Sequence, residues 1–134
     1  MVELTRTILR WLAAILFISA GTYHFVRPEL YRQIIPPGFP APELLVAVSG
    51  VAEIAGGLGL LLRPWRRAAG WGLIALLIAV FPANLYMTQH PGQFHLAPWL
   101  LWARLPFQAV FIAWVWFAVR QRSPRKPIRS GVSN

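Results

Sequence analysis

Four stretches of apolar and small residues alternate with short polar connections along this chain. They cover approximately residues 8–25, 44–62, 68–87 and 96–119. A helix that crosses a bilayer needs about 20 predominantly apolar residues, so each stretch is near the required length. Open sheet edges cannot face lipid, and the chain has no alternating barrel pattern. The pattern therefore predicts an all-α, polytopic membrane protein built as a bundle of four transmembrane helices.

Composition agrees with this prediction and limits the number of domains. Of 134 residues, 57% are hydrophobic and 13% are charged, and the mean hydropathy is +0.52. A soluble domain carries about 25% charged residues. We predict one membrane domain over residues 1–120, in contact with the lipid bilayer. Residues 121–134 have no core-forming residues and are predicted to be a basic, disordered cytoplasmic tail.

Basic residues are distributed unequally between the two sides of the predicted bundle. With four crossings, both termini and the turn at residues 63–67 lie on one side. The basic residues on that side are Arg6, Arg10, Arg63, Arg66, Arg67, Arg120, Arg122, Arg125, Lys126 and Arg129. The other side has Arg27 and Arg32, partly balanced by Glu29 and Glu43. Because basic residues concentrate in cytoplasmic segments, we expect both termini to be cytoplasmic.

Two other interpretations of the basic residues were weighed. Arg6 and Arg10 precede an apolar run that ends in small residues, which is also typical of a cleaved signal peptide. Cleavage would leave three spans and an external N-terminus. The net charge of +9 is typical of nucleic-acid binding, but the arginines cluster at the ends of apolar stretches. We therefore predict no nucleic-acid partner.

Three polar residues interrupt the predicted spans. Glu53 lies midway through the second stretch, and Arg104 and Gln108 lie one helical turn apart in the fourth. A charged side chain in hydrocarbon costs roughly 2.5–3.5 kcal/mol on insertion scales, and such residues usually face the bundle interior and mark functional sites. At the helical rise, Glu53 would be about 15 Å below the outer surface.

Further polar side chains gather in the same outer half of the bundle. Asn84 is near the outer end of the third stretch, and Tyr23 and His24 close the first. A guanidinium fits a carboxylate, so we expect Glu53 to pair with Arg104. The pair is interpreted either as a charged clip that fixes helix register or as part of a ligand-binding or proton-handling site.

Prolines occur inside two of the predicted spans. Pro82 and Pro106 each lack an N–H group and disturb the carbonyl four residues earlier, at Ile78 and Trp102. A freed carbonyl at membrane depth needs a polar partner or a water-lined space. The prolines therefore predict either a cavity in the outer half or ordinary kinks that serve packing.

Several cofactor classes have no support in the sequence. The chain has no cysteine, which excludes thiolate metal sites, iron–sulfur clusters and cysteine nucleophiles. His90 and His95 are separated by Pro91 and Gly92 and do not have the spacing of a helical ligand pair. No histidine is near the midplane, where a haem within the bundle would need one. We therefore predict no metal site.

The polar positions also carry a resemblance to the DoxX-like family of small bacterial four-helix membrane proteins, over residues 20–117. The shared segments are Gly21-Thr22-Tyr23-His24-Phe25, Arg27-Pro28, Ile35-Pro36-Pro37, Ser49-Gly50-Val51-Ala52-Glu53-Ile54, Phe81-Pro82-Ala83-Asn84 and Arg104-Leu105-Pro106-Phe107-Gln108. The resemblance marks His24, Glu53, Asn84, Arg104 and Gln108 as site residues. It implies a bacterial cytoplasmic (inner) membrane location and a link to respiratory or sulfur redox chemistry.

Together these observations favour an accessory membrane subunit that binds a small polar-headed lipophile such as a quinone. The expected ligand-binding residues are Tyr23, His24, Glu53, Asn84, Arg104 and Gln108. A membrane redox protein or a second copy of the chain is the expected partner. The alternatives are an enzymatic redox subunit, a purely structural membrane helper, and a small proton or solute transporter that uses Glu53.

Overall fold

The computed structural model describes residues 1–120, so the predicted disordered tail lies outside the described residues. This part of the chain is helical and contains no strand. The helices are α1 (Val2–Val26), α2 (Pro28–Arg32), α3 (Pro42–Leu61), α4 (Arg66–Ala79), α5 (Phe81–Gln89) and α6 (Pro98–Val119), with a 3-10 turn at Pro91–Gln93.

Four segments are long and apolar enough to cross a membrane, which confirms the predicted all-helical class and number of spans. They are Val2–Val26, Pro42–Leu61, Arg66–Gln89 and Pro98–Val119. The first begins at Val2 rather than near residue 8, because its polar first turns are stabilised within the helix. The Thr7 hydroxyl donates to the Glu3 carbonyl, and Arg6 pairs with the Glu3 carboxylate at 3.1 Å.

The four spans surround an apolar core. α1 packs against α3, α3 against α4, α4 against α6, and α6 closes the ring on α1. The main core cluster consists of Ala13, Ala14, Phe17, Leu60, Leu73, Ile74, Val115 and Val119. The outside of the bundle carries many exposed large apolar side chains, among them Ile15, Val48 and Val110.

Antiparallel packing gives the bundle two distinct ends. The Trp114 Nε1–H donates to the Leu9 carbonyl at 3.1 Å, and Arg10 donates to the Ala118 carbonyl at 3.4 Å. The beginning of α1 and the end of α6 therefore share one end of the bundle, here named the terminal end. The opposite end carries α2 and is named the α2 end.

Glycines set the close approach of α1 and α3. A Cβ atom on Gly21 would lie 2.6 Å from the Gly50 carbonyl oxygen, and one on Gly50 would lie 2.8 Å from the His24 Cβ. Small residues at such crossings let helix backbones approach closely. The crossing point is next to His24, so glycine packing positions this histidine against α3.

The third span, predicted as one helix that Pro82 disturbs, is interrupted. α4 ends at Ala79, Val80 has φ −85° and ψ −2°, and α5 begins at Phe81 with Pro82 in its first turn. Proline is tolerated there because the first N–H groups of a helix have no intrahelical partner. Pro106, in contrast, lies inside α6 without ending it.

A smaller apolar cluster lies at the α2 end. Met87, Phe94 and Leu101 are buried together, and Ile34 from the segment after α2 packs against them. This contact connects the long proline-containing segment between α1 and α3 to α5 and α6. The segment therefore covers part of the bundle at the α2 end.

Candidate functional site

The site is organised around the contact between His24 and Glu53. His24 is on the last turn of α1, and Glu53 is in the middle of α3. The His24 Nε2 lies 3.6 Å from the Glu53 Oε1, and the two side chains are only 7% and 15% exposed. A histidine and a carboxylate from two different spans are thus brought together out of contact with solvent.

The second ring nitrogen of His24 is held by α3. His24 Nδ1 lies 3.0 Å from the Val46 carbonyl oxygen and 3.1 Å from the Ser49 Oγ, which itself donates to the Val46 carbonyl. A carbonyl oxygen can only accept, so Nδ1 carries a proton. Nε2 is then the ring nitrogen that faces Glu53.

Tyr31 of α2 covers this histidine. The rings of Tyr31 and His24 are stacked with centroids 3.6 Å apart, and Tyr23 meets Tyr31 edge-on at 6.3 Å. Burial raises the pKa of the Tyr31 hydroxyl above its usual value, and the negative charge of Glu53 raises it further. Arg104 acts in the opposite direction, so its guanidinium is close enough for its charge to affect Tyr31.

Two polar groups of the site lack partners. Glu53 Oε2 is buried and makes no hydrogen bond to any of residues 1–120. Arg104 on α6 makes no ion pair within residues 1–120, and its side chain is exposed at the surface of the bundle. The predicted Glu53–Arg104 pair is therefore wrong. The carboxylate is paired with His24 instead, because α1 and α3 are in the closest contact of the bundle.

Asn84 and Gln108 form a second polar group. The Asn84 Nδ2–H donates to Gln108 Oε1 at 2.9 Å, and the Gln108 Nε2–H donates to the Leu77 carbonyl. Leu77 is in the last turn of α4, where carbonyls have no helical partner. Gln108 therefore satisfies a carbonyl that the interruption of the third span frees.

Six residues were expected at the site, and the structure divides them. His24 contacts Glu53, Asn84 contacts Gln108, Tyr23 is at the exposed edge of Tyr31, and Arg104 is paired with none of them. Sequence reasoning missed both Tyr31 and Ser49 as site residues. Ser49 had a signal, since it precedes Glu53 by four residues and so shares its helix face. Nothing in the sequence marked Tyr31.

No set of three histidine, cysteine or carboxylate side chains is arranged to hold a metal ion within residues 1–120. A family model described as "Domain of unknown function (DUF8561)" matches residues 12–119, which include all four spans and every residue of the site. The chain belongs to this family. No curated protein and no solved structure matches the DUF8561 chain.

The matched range has a structural meaning for this DUF8561 member. It begins at Leu12 and ends at Val119, so it contains the His24–Glu53 pair, the interrupted third span and the Asn84–Gln108 pair. Arg6 and Arg10, at the start of α1, lie outside it, whereas Arg63, Arg66 and Arg67 lie inside it.

Proposed function

We propose that this protein is a bacterial inner-membrane protein with both termini in the cytoplasm, which binds the polar head of a lipophilic small molecule at the His24–Glu53 site. The ligand class is a quinone or a similar oxygen-bearing ring with an apolar tail. The DoxX-like resemblance supports a further part of the proposal, in which the protein is an accessory subunit of a membrane redox system.

The observation that carries the proposal is the buried, unpartnered Oε2 atom of Glu53. A buried polar atom without a partner costs about 1–3 kcal/mol, and such a group in a native structure calls for a ligand, a water or a functional role. Arg104 is a second free group, a charge on an apolar span with no ion pair within the described residues. A ligand head with oxygen atoms is complementary to both.

The chemistry of the site suits a carbonyl or hydroxyl head group. Nδ1 of His24 donates to the Val46 carbonyl, so Nε2 and the Glu53 carboxyl group are the atoms left to meet the head group. A hydroxyl on the head group can donate to either of them. The Arg104 guanidinium can donate to a second oxygen of the same head, and the Tyr31 ring offers an aromatic face.

The membrane placement rests on apolar surface and charge. Exposed Ile15, Val48 and Val110 suit contact with lipid tails. Arg6, Arg10, Arg63, Arg66, Arg67 and Arg120 belong to the terminal end, as the positive-inside rule requires of a cytoplasmic side.

Quinone titration of the purified chain tests the site. We expect short-tailed ubiquinone and menaquinone analogues to quench tryptophan fluorescence saturably, and binding to weaken about tenfold in Glu53→Gln and Arg104→Gln, in line with the loss of one charge-assisted hydrogen bond. Glu43→Gln is the matched control, since it removes an exposed carboxylate from the same helix. Equal affinity in Glu53→Gln, Arg104→Gln and Glu43→Gln would refute the site.

One observation favours a second candidate, a structural membrane helper. The Asn84–Gln108–Leu77 chain of hydrogen bonds is complete within the protein and needs no ligand. A proton path through Glu53 is less well supported, because the core cluster between the site and the terminal end is built from apolar buried residues. If no quinone binds and the variants Glu53→Gln and Arg104→Gln assemble normally with partner proteins, the helper function is favoured.

A further inference from the structure

Three arginines from two spans gather at the terminal end of the bundle. Arg6 and Arg10 lie one turn apart on α1, and Arg66 is the first residue of α4. Arg10 donates to the Ala118 carbonyl at the end of α6, and the neighbouring Val119 packs against Gly70, one turn after Arg66. The three arginines therefore lie around the end of α6. Like charges one turn apart on a helix repel each other and destabilise it.

The negative charge within this group is smaller than the positive charge. Glu3 pairs with Arg6 at 3.1 Å and is the acidic residue of the first turn of α1. The remaining contacts are to neutral groups. Arg10 donates to the Ala118 carbonyl and to the Thr7 hydroxyl, and Arg66 donates to the Leu60 carbonyl at 3.1 Å. These contacts fix the position of the guanidinium groups but do not neutralise them.

Arg6 is buried and keeps one N–H group without a partner. The residue is only 7% exposed, and within residues 1–120 its buried Nε atom has no hydrogen-bond partner. Its guanidinium carbon is 5.2 Å from the centre of the Phe117 ring, which fixes the side chain against α6. Within the described residues the Glu3 carboxylate is thus the one negative charge paired with these three arginines.

We propose that Arg6, Arg10 and Arg66 form a binding site for a phosphate-bearing anion at the terminal end of the bundle. A phosphate group has several acceptor oxygens, and guanidinium forks bind such groups through paired hydrogen bonds. The anion relieves the repulsion between the three arginines. This site is independent of the His24–Glu53 site, which is near the other end of α1.

Two sources of phosphate fit this chemistry, an anionic lipid head group and free phosphate. Trp11 and Trp65 are next in sequence to Arg10 and Arg66, and both are more than half exposed. Exposed tryptophans in membrane proteins concentrate at the level of the lipid head groups. The arginines are thus at a depth that a lipid phosphate can reach from the side.

Binding of short-chain phosphatidylglycerol to the full chain in a maltoside detergent, followed by native mass spectrometry, tests the site. Phosphatidylcholine of the same chain length and inorganic phosphate are the comparison probes. We expect saturable binding that weakens about tenfold in Arg10→Gln and in Arg66→Gln, since each change removes a charge-assisted contact. If millimolar inorganic phosphate displaces the lipid, free phosphate is a sufficient ligand. If it does not, the ligand is the lipid head group. Either result supports an anion site.

Arg67→Gln is the matched control, because it removes an exposed charge from the residue next to Arg66. The double variant Arg10→Lys, Arg66→Lys keeps both charges, so it shows whether weaker binding in the glutamine variants comes from misfolding. We expect the double variant to bind more weakly than the native chain and more tightly than the glutamine variants. Equal binding of phosphatidylglycerol and phosphatidylcholine, with no response to phosphate, overturns the proposal. So does an equal loss of affinity in Arg67→Gln and Arg66→Gln.

Discussion

The Nε2 atom of His24 lies 3.6 Å from the Oε1 atom of Glu53, while the Nδ1 atom of the same ring is held by the Val46 carbonyl. The two polar side chains come from different helices and face each other, which lowers the cost of placing either of them in an apolar bundle.

Separate replacement of His24 and Glu53 should reveal this coupling. His24→Phe keeps a ring against Tyr31 but leaves the carboxyl group without its partner, and Glu53→Gln leaves Nε2 without the carboxylate. We expect each change to destabilise the protein by about 1–3 kcal/mol, with a coupling energy of roughly 0.5–3 kcal/mol. Unfolding in mixed micelles with increasing dodecyl sulfate measures both.

The exposed Arg32–Glu43 pair, at 3.2 Å, is the matched control for that cycle. Exposed pairs contribute roughly 0.2–1 kcal/mol. If the coupling energy of His24 with Glu53 is no larger than that of Arg32 with Glu43, the two buried side chains do not stabilise each other as proposed.

The titration of Tyr31 should respond in opposite directions to two substitutions. Burial and the charge of Glu53 raise the Tyr31 pKa, whereas the charge of Arg104 lowers it. Glu53→Gln should therefore lower the Tyr31 pKa, and Arg104→Gln should raise it. The ¹³Cζ resonance of labelled tyrosine, assigned with Tyr31→Phe, reports the titration.

The same pKa predicts how stability changes at alkaline pH. The raised value means that Tyr31 binds its proton more tightly in the folded protein than in the unfolded chain, whose pKa is 10.0. Stability from this group is thus fully present below pH 10 and is lost as pH rises above it. Tyr31→Phe should flatten that decline, and an unchanged decline would show that other groups cause it.

Replacement of Gln108 should show how much free energy of unfolding depends on the carbonyl that the interrupted third span leaves free. Gln108→Leu leaves the Leu77 carbonyl without its donor, so we expect a loss of about 1–3 kcal/mol. Asn84→Ala keeps that bond and removes only the Asn84–Gln108 contact, so it should cost less. Micelle unfolding measures both.

Pro82→Ala in the Gln108→Leu background provides a second comparison. A continuous helix would supply the Phe81 N–H to the Leu77 carbonyl, so part of the lost stability should return. If Pro82→Ala has the same effect with and without Gln108, the two residues are not linked through this carbonyl.

The crossing of α1 and α3 should not tolerate a side chain. A Cβ atom on Gly21 or Gly50 would lie within 3.0 Å of the facing helix, so Gly21→Val or Gly50→Val should destabilise the bundle by roughly 1–3 kcal/mol. Gly72→Ala is the control, because nothing lies within 4 Å of the Cβ it adds. Thermal unfolding in detergent distinguishes them, and equal effects would show that the crossing is not tightly packed.

The spans, and a disturbance of the third helix near Pro82, could be predicted because length, apolarity and the missing proline N–H act locally along the chain. The partner of Glu53 could not, because it depends on how each helix is rotated about its axis. α3 and α6 are apolar around most of their circumference, so periodicity does not determine that rotation. The close α1–α3 approach at Gly21 and Gly50 turns His24, rather than Arg104, towards the carboxyl group. Tyr31 comes from a short helix outside the spans, whose docking no sequence pattern indicated.

The hydrogen bond from Gln108 to the Leu77 carbonyl also has a consequence for how members of this family can diverge. In a homologue whose third helix is continuous through Val80, the Leu77 carbonyl has a backbone donor and no donor is needed at position 108. In a homologue that loses only the glutamine, this carbonyl stays without a donor until the helix also becomes continuous. Residues 82 and 108 should therefore covary between homologous sequences, although they belong to different helices and are 26 positions apart.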